Sequence, residues 1–483
     1  TIAEQFTFTR GSEATFVNEQ GLIESTNQLG PELVVNGDFA TDSDWILTTG
    51  ANISDGKLNV FESAYTFFAR QLNVVTIGKQ YKVTFDVDIQ GGNGVIVYLS
   101  DTNASAIVQT SGTHTFYFTA DGSQIRFRAY DQGFIGSIDN VSVKEHITAT
   151  NTPRLDYSTG AEAFLLEPQS TNYSTNSEQP STWHSSGGVT ITPNAATSPE
   201  GLQNSSLVVN NASSGNKYAR NVFVFSSGSG LHTVTTSYFI KYYNNQWVRL
   251  RSIFFNGSPA NDVSTFFDVQ NGVLGTVDAN HTAKIEDYGN GWYRCSITFD
   301  IDKSVDRGGY VHIEAMDGDS SNTFAASGQG FYAYGSQGEE LSYPTSYIPT
   351  GGAIATRNQE LCVDATPVIN SEEGTLYFDA AYLNDTGSYR KISINDGTNS
   401  NQVTIEDRPV SNQVKAFVSV GGSSSMAVTT TLTDIKKFNK MALKWKQNNF
   451  SFWVNGTKVY EDLSGASFSS GVLNKLSFGV GNS

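Results

Sequence analysis

At 483 residues the chain is longer than one hydrophobic core supports, and a prior of roughly 150 residues per domain suggests about three units. Its 38% hydrophobic content excludes wholesale disorder, and 45 glycines, 30 phenylalanines and 22 tyrosines against only 16% charged residues describe strands joined by many turns. A formal charge of −17 argues against binding a nucleic-acid backbone or an anionic membrane surface, which both need clustered Lys and Arg, whereas neutral sugars or a calcium ion tolerate that sign.

Residues 1–28 read as a short strand, a polar turn and a hairpin, too small to fold alone. Residues 31–146 form a compact unit in which 81–89, 114–120 and 124–130 alternate apolar and polar side chains, the period of half-buried strands. The stretch 147–173 is again hairpin-like and has no core of its own. A larger sandwich spans 174–350, with the alternating strand 293–301, and the last unit spans 351–483. Asp55-Gly56, Asp121-Gly122, Asn271-Gly272, Asn290-Gly291, Asp396-Gly397 and Asn455-Gly456 supply the positive φ of tight hairpins between them. The best short helix candidate is 432–441. Cys295 and Cys362 stand singly in apolar stretches and read as buried thiols, which suits a viral or bacterial surface product better than a disulfide-stapled module. No run of 18 apolar residues occurs. The start at Thr1, without Met or a charged leader, reads as part of a longer protein.

The phrase FTFTRGSEATFVNEQGLIE at 6–24, followed by NTPRLDY and GAEAFLLEPQSTNY within 151–173, resembles a module that recurs in bacteriophage tail and virion surface proteins, where the two halves are usually adjacent. The resemblance implies that 31–146 is inserted into a hairpin of that module, so that 1–28 and 147–173 meet in space. The inserted unit resembles carbohydrate-binding jelly rolls through Asn36, Gly37, Phe39 and Trp45 at its start and Ile138, Asp139, Asn140, Val141 and Val143 at its end. Related modules hold a structural calcium ion there, which implies Asp38 and Asp139 as ligands, with Ala40 standing where the family often has Glu. Residues 174–350 look like a jelly roll of phage adhesins, on the phrases IEDYGNGWYRCSITF and SYPTSYIPTGGAIATRNQE. Residues 351–483 resemble a laminin-G or concanavalin-like lectin domain, on EGTLYFDAAYL, NKMALKWKQNNFSFWVNGTKVYED and NKLSFGVGN, without that family's closing strand. The implied fold class is all-β: tandem antiparallel β-sandwiches, jelly rolls plus a concanavalin/laminin-G-like sandwich.

No nucleophile elbow, H-E-x-x-H helix, phosphate loop or dinucleotide fingerprint occurs, and the six histidines are scattered singly. A glycosidase needs only two facing carboxylates, so a pair such as Asp268 with Glu314 stays open. Sandwiches bind glycans through aromatic faces that stack on a pyranose. The candidates are Tyr65, Phe67 and Tyr130 in the first jelly roll, Trp183 and Trp247 in the second, and Trp453 in the last unit. The expectation is a non-catalytic phage virion or tail-fibre adhesin at the virion surface, extracellular, that binds host cell-surface polysaccharide. Its expected partners are other virion proteins and, as in many fibres, two further copies in a homotrimer, with no nucleic acid and no membrane insertion. The alternatives are a structural or decorative virion protein making subunit contacts without sugar, and a bacterial secreted glycan-binding protein or polysaccharide-active enzyme.

Overall fold

The computed structural model describes residues 7–61, 67–99, 105–131, 133–178, 180, 183–255, 263–305, 308–365, 368–385 and 389–479. Among them the strands pair in antiparallel ladders, and no α-helix occurs. The chain is an all-β protein of successive sandwiches.

Alternation builds the first sandwich. In Gln80–Gly92, Tyr81, Val83, Phe85 and Val87 are buried while Lys82, Thr84 and Asp86 point away, as the two-residue pleat requires. This strand lies between Gly112–Thr119 and Phe134–Ile147, and that sheet packs on a second one whose centre is Val95–Tyr98, Ile125–Ala129 and Phe67–Gln71. Gln28–Glu32 pairs with Phe134–Ile147, so the entry and exit of the unit run side by side. Gly37 is required there: a Cβ on it would stand 2.0 Å from the Val141 carbonyl oxygen.

The second sandwich packs two six-stranded sheets around Phe223, Tyr238, Leu250, Phe267, Ile297, Val311 and Phe331. Its longest ladder pairs Leu231–Tyr242 with Trp292–Asp302. A separate aromatic cluster of Phe239, Trp292, Tyr334 and Tyr347 on the outer side of that ladder receives Ile23 from the start of the chain.

In the last unit a four-stranded sheet, in the order Glu373–Ala380, Asn439–Lys446, Phe450–Val454, Thr457–Asp462, packs on a seven-stranded one around Val403, Val414, Leu443, Trp445 and Phe452. The seven-stranded sheet draws on both ends of the described chain. Lys475–Gly479 is an interior strand between Lys391–Asn395 and Leu361–Ala365, and the edge beyond is Thr7–Thr9, so a segment from the start of the chain extends the last sheet. The expected helix at 432–441 is a turn followed by a strand. Asp434 Oδ1 accepts the Lys436 amide at 2.9 Å, and Asn439 Nδ2 donates to the Asp434 carbonyl, which gives the backbone non-helical partners.

Between the sandwiches lies a buried ionic hub. Arg10 Nη1 donates to Glu360 Oε1 (2.9 Å), Arg154 Nη2 to Glu360 Oε2 (2.5 Å) and to Glu167 Oε2 (2.9 Å), and Arg357 Nη1 contacts Glu167 Oε2 at 2.7 Å. Val17 N–H donates to Asp156 Oδ2 and Ala149 N–H to Asn27 Oδ1, so residues 10–27 and 149–167 touch directly. Arg357 and Glu360, at the end of the phrase SYPTSYIPTGGAIATRNQE, are part of the same hub. Burial opposes the charge on Glu167, but Arg357 and Arg154, with Ser346, hold its pKa down to about 2.

Candidate functional site

The outer face of the four-stranded sheet follows from its register. Tyr377 lies opposite Ala442 and Ala442 opposite Trp453, so these three side chains form one row across three strands. Met441, Leu443 and Trp445 enter the core, which turns Lys440, Ala442 and Lys444 outward. Likewise Phe450 and Phe452 are buried while Trp453 is 39% and Tyr377 58% exposed. Neighbouring strands are about 4.8 Å apart, so the Tyr and Trp stand roughly 10 Å apart with only a methyl group between them. The result is a trough of ≈ 430 Å³ lined by Thr375, Tyr377, Lys440, Ala442, Lys444 and Trp453. The indole is held in place: its Nε1 donates to Ser451 Oγ at 3.1 Å, and Lys458 Nζ lies 5.8 Å from the ring centroid. Two aromatic rings around a shallow floor match the apolar face of a pyranose, and ammonium groups stand at the rim.

The other sequence candidates do not converge on this trough. Tyr65 lies outside the described residues. Phe67 is half-buried under the Arg70 guanidinium, 4.8 Å from its centroid, and Tyr130 is half-buried, its amide donating to the Gly94 carbonyl and its own carbonyl accepting the Gly133 amide. Trp183 is corrected outright: it is 5% exposed, its Nε1 donates to the Asn176 carbonyl at 2.7 Å, and its ring meets Tyr238 edge-on, leaving no face for a ligand. Trp247 is half-buried beneath the loop at Gly275, where an added Cβ would come within 2.5 Å of the ring. Sequence reasoning missed Tyr377, Ala442, Lys440 and Lys444, although their alternation with buried neighbours was there to be read.

The aspartates assigned to calcium act as turn caps. Asp38 is exposed with Oδ1 3.4 Å from the Ala40 amide, and Asp139 Oδ1 accepts the Asn140 amide at 2.7 Å. Calcium takes about six to eight oxygens, and no group of three or more Asp, Glu, His or Cys side chains that could hold a metal gathers among the described residues.

Asp268 and Glu314 are each tied to a structural partner. Burial disfavours the charge on Asp268, but amide groups of Asn271, Gln246 and Gln270 outweigh it and lower its pKa. Glu314 binds Arg249. A second carboxyl pair, Glu178 with Glu200, sits at the seam where Tyr117 of the first sandwich approaches the second. Burial raises both pKa values, with the contact between the two adding to the rise at Glu178. The carboxyls lie within hydrogen-bond reach of each other, whereas a retaining glycosidase holds its pair about 5–5.5 Å apart.

No protein-family model matches the chain, and no curated protein matches its sequence. Among solved structures it is similar to the N-terminal CBM22-1-CBM22-2 tandem domain from Paenibacillus barcinonensis Xyn10C, at 13% identity and a TM-score of 0.24, over 65% of this chain and 99% of that one. A likeness at that level fixes no ligand. The class defined by the chain's own strands is a multi-sandwich all-β protein with an exposed aromatic trough.

Proposed function

We propose that this protein is a non-catalytic glycan-binding adhesin of a phage virion or tail fibre, extracellular in action, that grips host cell-surface polysaccharide with the Tyr377–Ala442–Trp453 trough. The observation that carries the reading is a Trp and a Tyr displayed to solvent across a small floor on a sheet whose other face is packed in the core. Stacking aromatics at such a site contribute by area and by orientation, and weak single sites gain strength from repetition on a particle. The non-catalytic part is supported by the engagement of Asp268 and Glu314 with structural partners and by the direct contact of Glu178 with Glu200.

The test is binding of the full chain to an array of bacterial surface glycans, followed by titration of any hit. Trp453→Ala is expected to weaken binding at least tenfold while leaving the unfolding midpoint nearly unchanged. Undiminished binding by that variant, or no binding on the array, would refute the reading. Release of reducing ends from a bound polysaccharide would refute its non-catalytic part.

A further inference from the structure

The charge of the chain is distributed unevenly around the trough. Six of the seventeen lysines, Lys436, Lys437, Lys440, Lys444, Lys446 and Lys458, fall within the 23 residues 436–458, and no Asp or Glu occurs in that stretch, although the whole chain carries −17. Lysines on sheets often guard an exposed edge against mispairing. That explanation fails for Lys440 and Lys444, because Asn439–Lys446 is an interior strand with Glu373–Ala380 on one side and Phe450–Val454 on the other.

Position adds to number. Lys440 and Lys444 are two residues before and two residues after Ala442, so their stems rise from the same face roughly 7 Å to either side of the floor. Lys440 is exposed and forms no ion pair among the described residues, and Lys444 Nζ donates to the neutral Asn449 Oδ1 at 3.1 Å. Lys446 is paired with Glu373, and Lys458 with Glu461 while also lying over the Trp453 ring. Asp379 stands opposite Lys440 in the register and Glu373 feels the charge of Lys444, but neither lysine forms an ion pair among the described residues, so two ammonium groups bracket a floor walled by two aromatic rings. A neutral sugar would use the rings and offer the ammonium groups only hydroxyl acceptors. A sugar bearing an anionic group would use both.

We infer that the Tyr377–Ala442–Trp453 trough selects acidic saccharides, seating a pyranose on Ala442 between the rings with its anionic substituent at Lys440 or Lys444. This inference rests on the glycan-binding reading above and narrows its substrate class. Lysine is a compact point charge, so it accepts a carboxylate, a sulfate or a phosphate, and the shared requirement is the negative charge. Because the ammonium groups are solvated, the preference depends on ionic strength, with a screening length near 8 Å at physiological salt.

The experiment uses the full chain and an array holding neutral bacterial saccharides beside uronate-, sulfate- and phosphate-bearing ones, with trigalacturonate and its neutral counterpart galactotriose as the titration pair. The expected result is a preference of about tenfold or more for anionic probes at low salt that shrinks as salt rises. Lys440→Gln with Lys444→Gln should remove the preference by lowering affinity for the anionic probe far more than for the neutral one, while Trp453→Ala should weaken both to a similar degree. Equal affinity for neutral and anionic probes, or a preference that survives the double substitution, would overturn the inference and leave glycan binding intact. Silence across the array would overturn both together. The three types of anionic probe distinguish the kind of acid group.

Discussion

His281 is 6% exposed and has hydroxyl neighbours on both ring nitrogens, Ser252 Oγ at Nε2 and Thr265 Oγ1 at Nδ1, each 3.0 Å away. Burial pushes its pKa down to about 4, with Asp278 opposing only in part. The folded state therefore holds the neutral ring, while the unfolded chain takes up a proton near 6.5. Stability from this site is complete above that value and is lost as pH falls from about 6.5 towards 4, on the order of 3 kcal/mol at most. Thermal unfolding of His281→Gln should lose that segment of the pH dependence, and an unchanged profile would contradict the assignment. None of this was legible in the sequence, because a single histidine gives no sign of the two hydroxyls that the sheet brings to it.

At the scale of elements, the tryptophans separate what period alone reveals from what packing decides. The alternation in FSFWV correctly required one ring to leave the core, and Trp453 is that ring. The same reading applied to EGTLYF and NKMALKWK would have placed Tyr377 on one face of its strand and Lys440, Ala442 and Lys444 on one face of theirs, but only the register shows that Tyr377, Ala442 and Trp453 share a row. Trp183 misled for the opposite reason: it lies in a polar stretch of sequence, while the indole turns inward to the Asn176 carbonyl and Tyr238. Trp183→Ala is accordingly expected to cost about 3–5 kcal/mol in denaturant unfolding, the loss typical of a buried large aromatic. Trp453→Ala should cost less than about 1 kcal/mol, since partly exposed positions are generally tolerant. Reversal of that order would mean the two faces have been exchanged.

At the scale of the whole molecule, sequence resemblance brought residues 1–28 and 147–173 together, and the structure puts them in direct contact through Arg10, Asn27, Asp156 and Ala149. The participation of Arg357 and Glu360 could not be read, because an ion pair across some 200 residues leaves no local trace. The seam between the first and second sandwiches carries a pH signature of its own. Glu178 and Glu200 face each other, Tyr334 and Lys82, and Tyr117, Tyr347 and Glu13 belong to the same electrostatic neighbourhood. Their raised pKa values mean that the fold favours the protonated pair. The contribution is complete below the ordinary carboxylate range and is lost as pH rises through the raised values. Glu178→Gln should match the parent protein in acid and unfold at a higher temperature on the neutral and alkaline side, as calorimetry across pH would reveal.

The placement of Thr7–Thr9 beside Leu361–Ala365 also sets an order of events on the ribosome. A strand made near the beginning must wait for more than three hundred further residues before its hydrogen-bonding neighbour exists. Vectorial synthesis can complete the two intervening sandwiches one after another. Closure of the last sheet comes late and draws the early segment back across the finished parts, so release of the nascent chain before that point would leave an unpaired β-edge open to intermolecular capture.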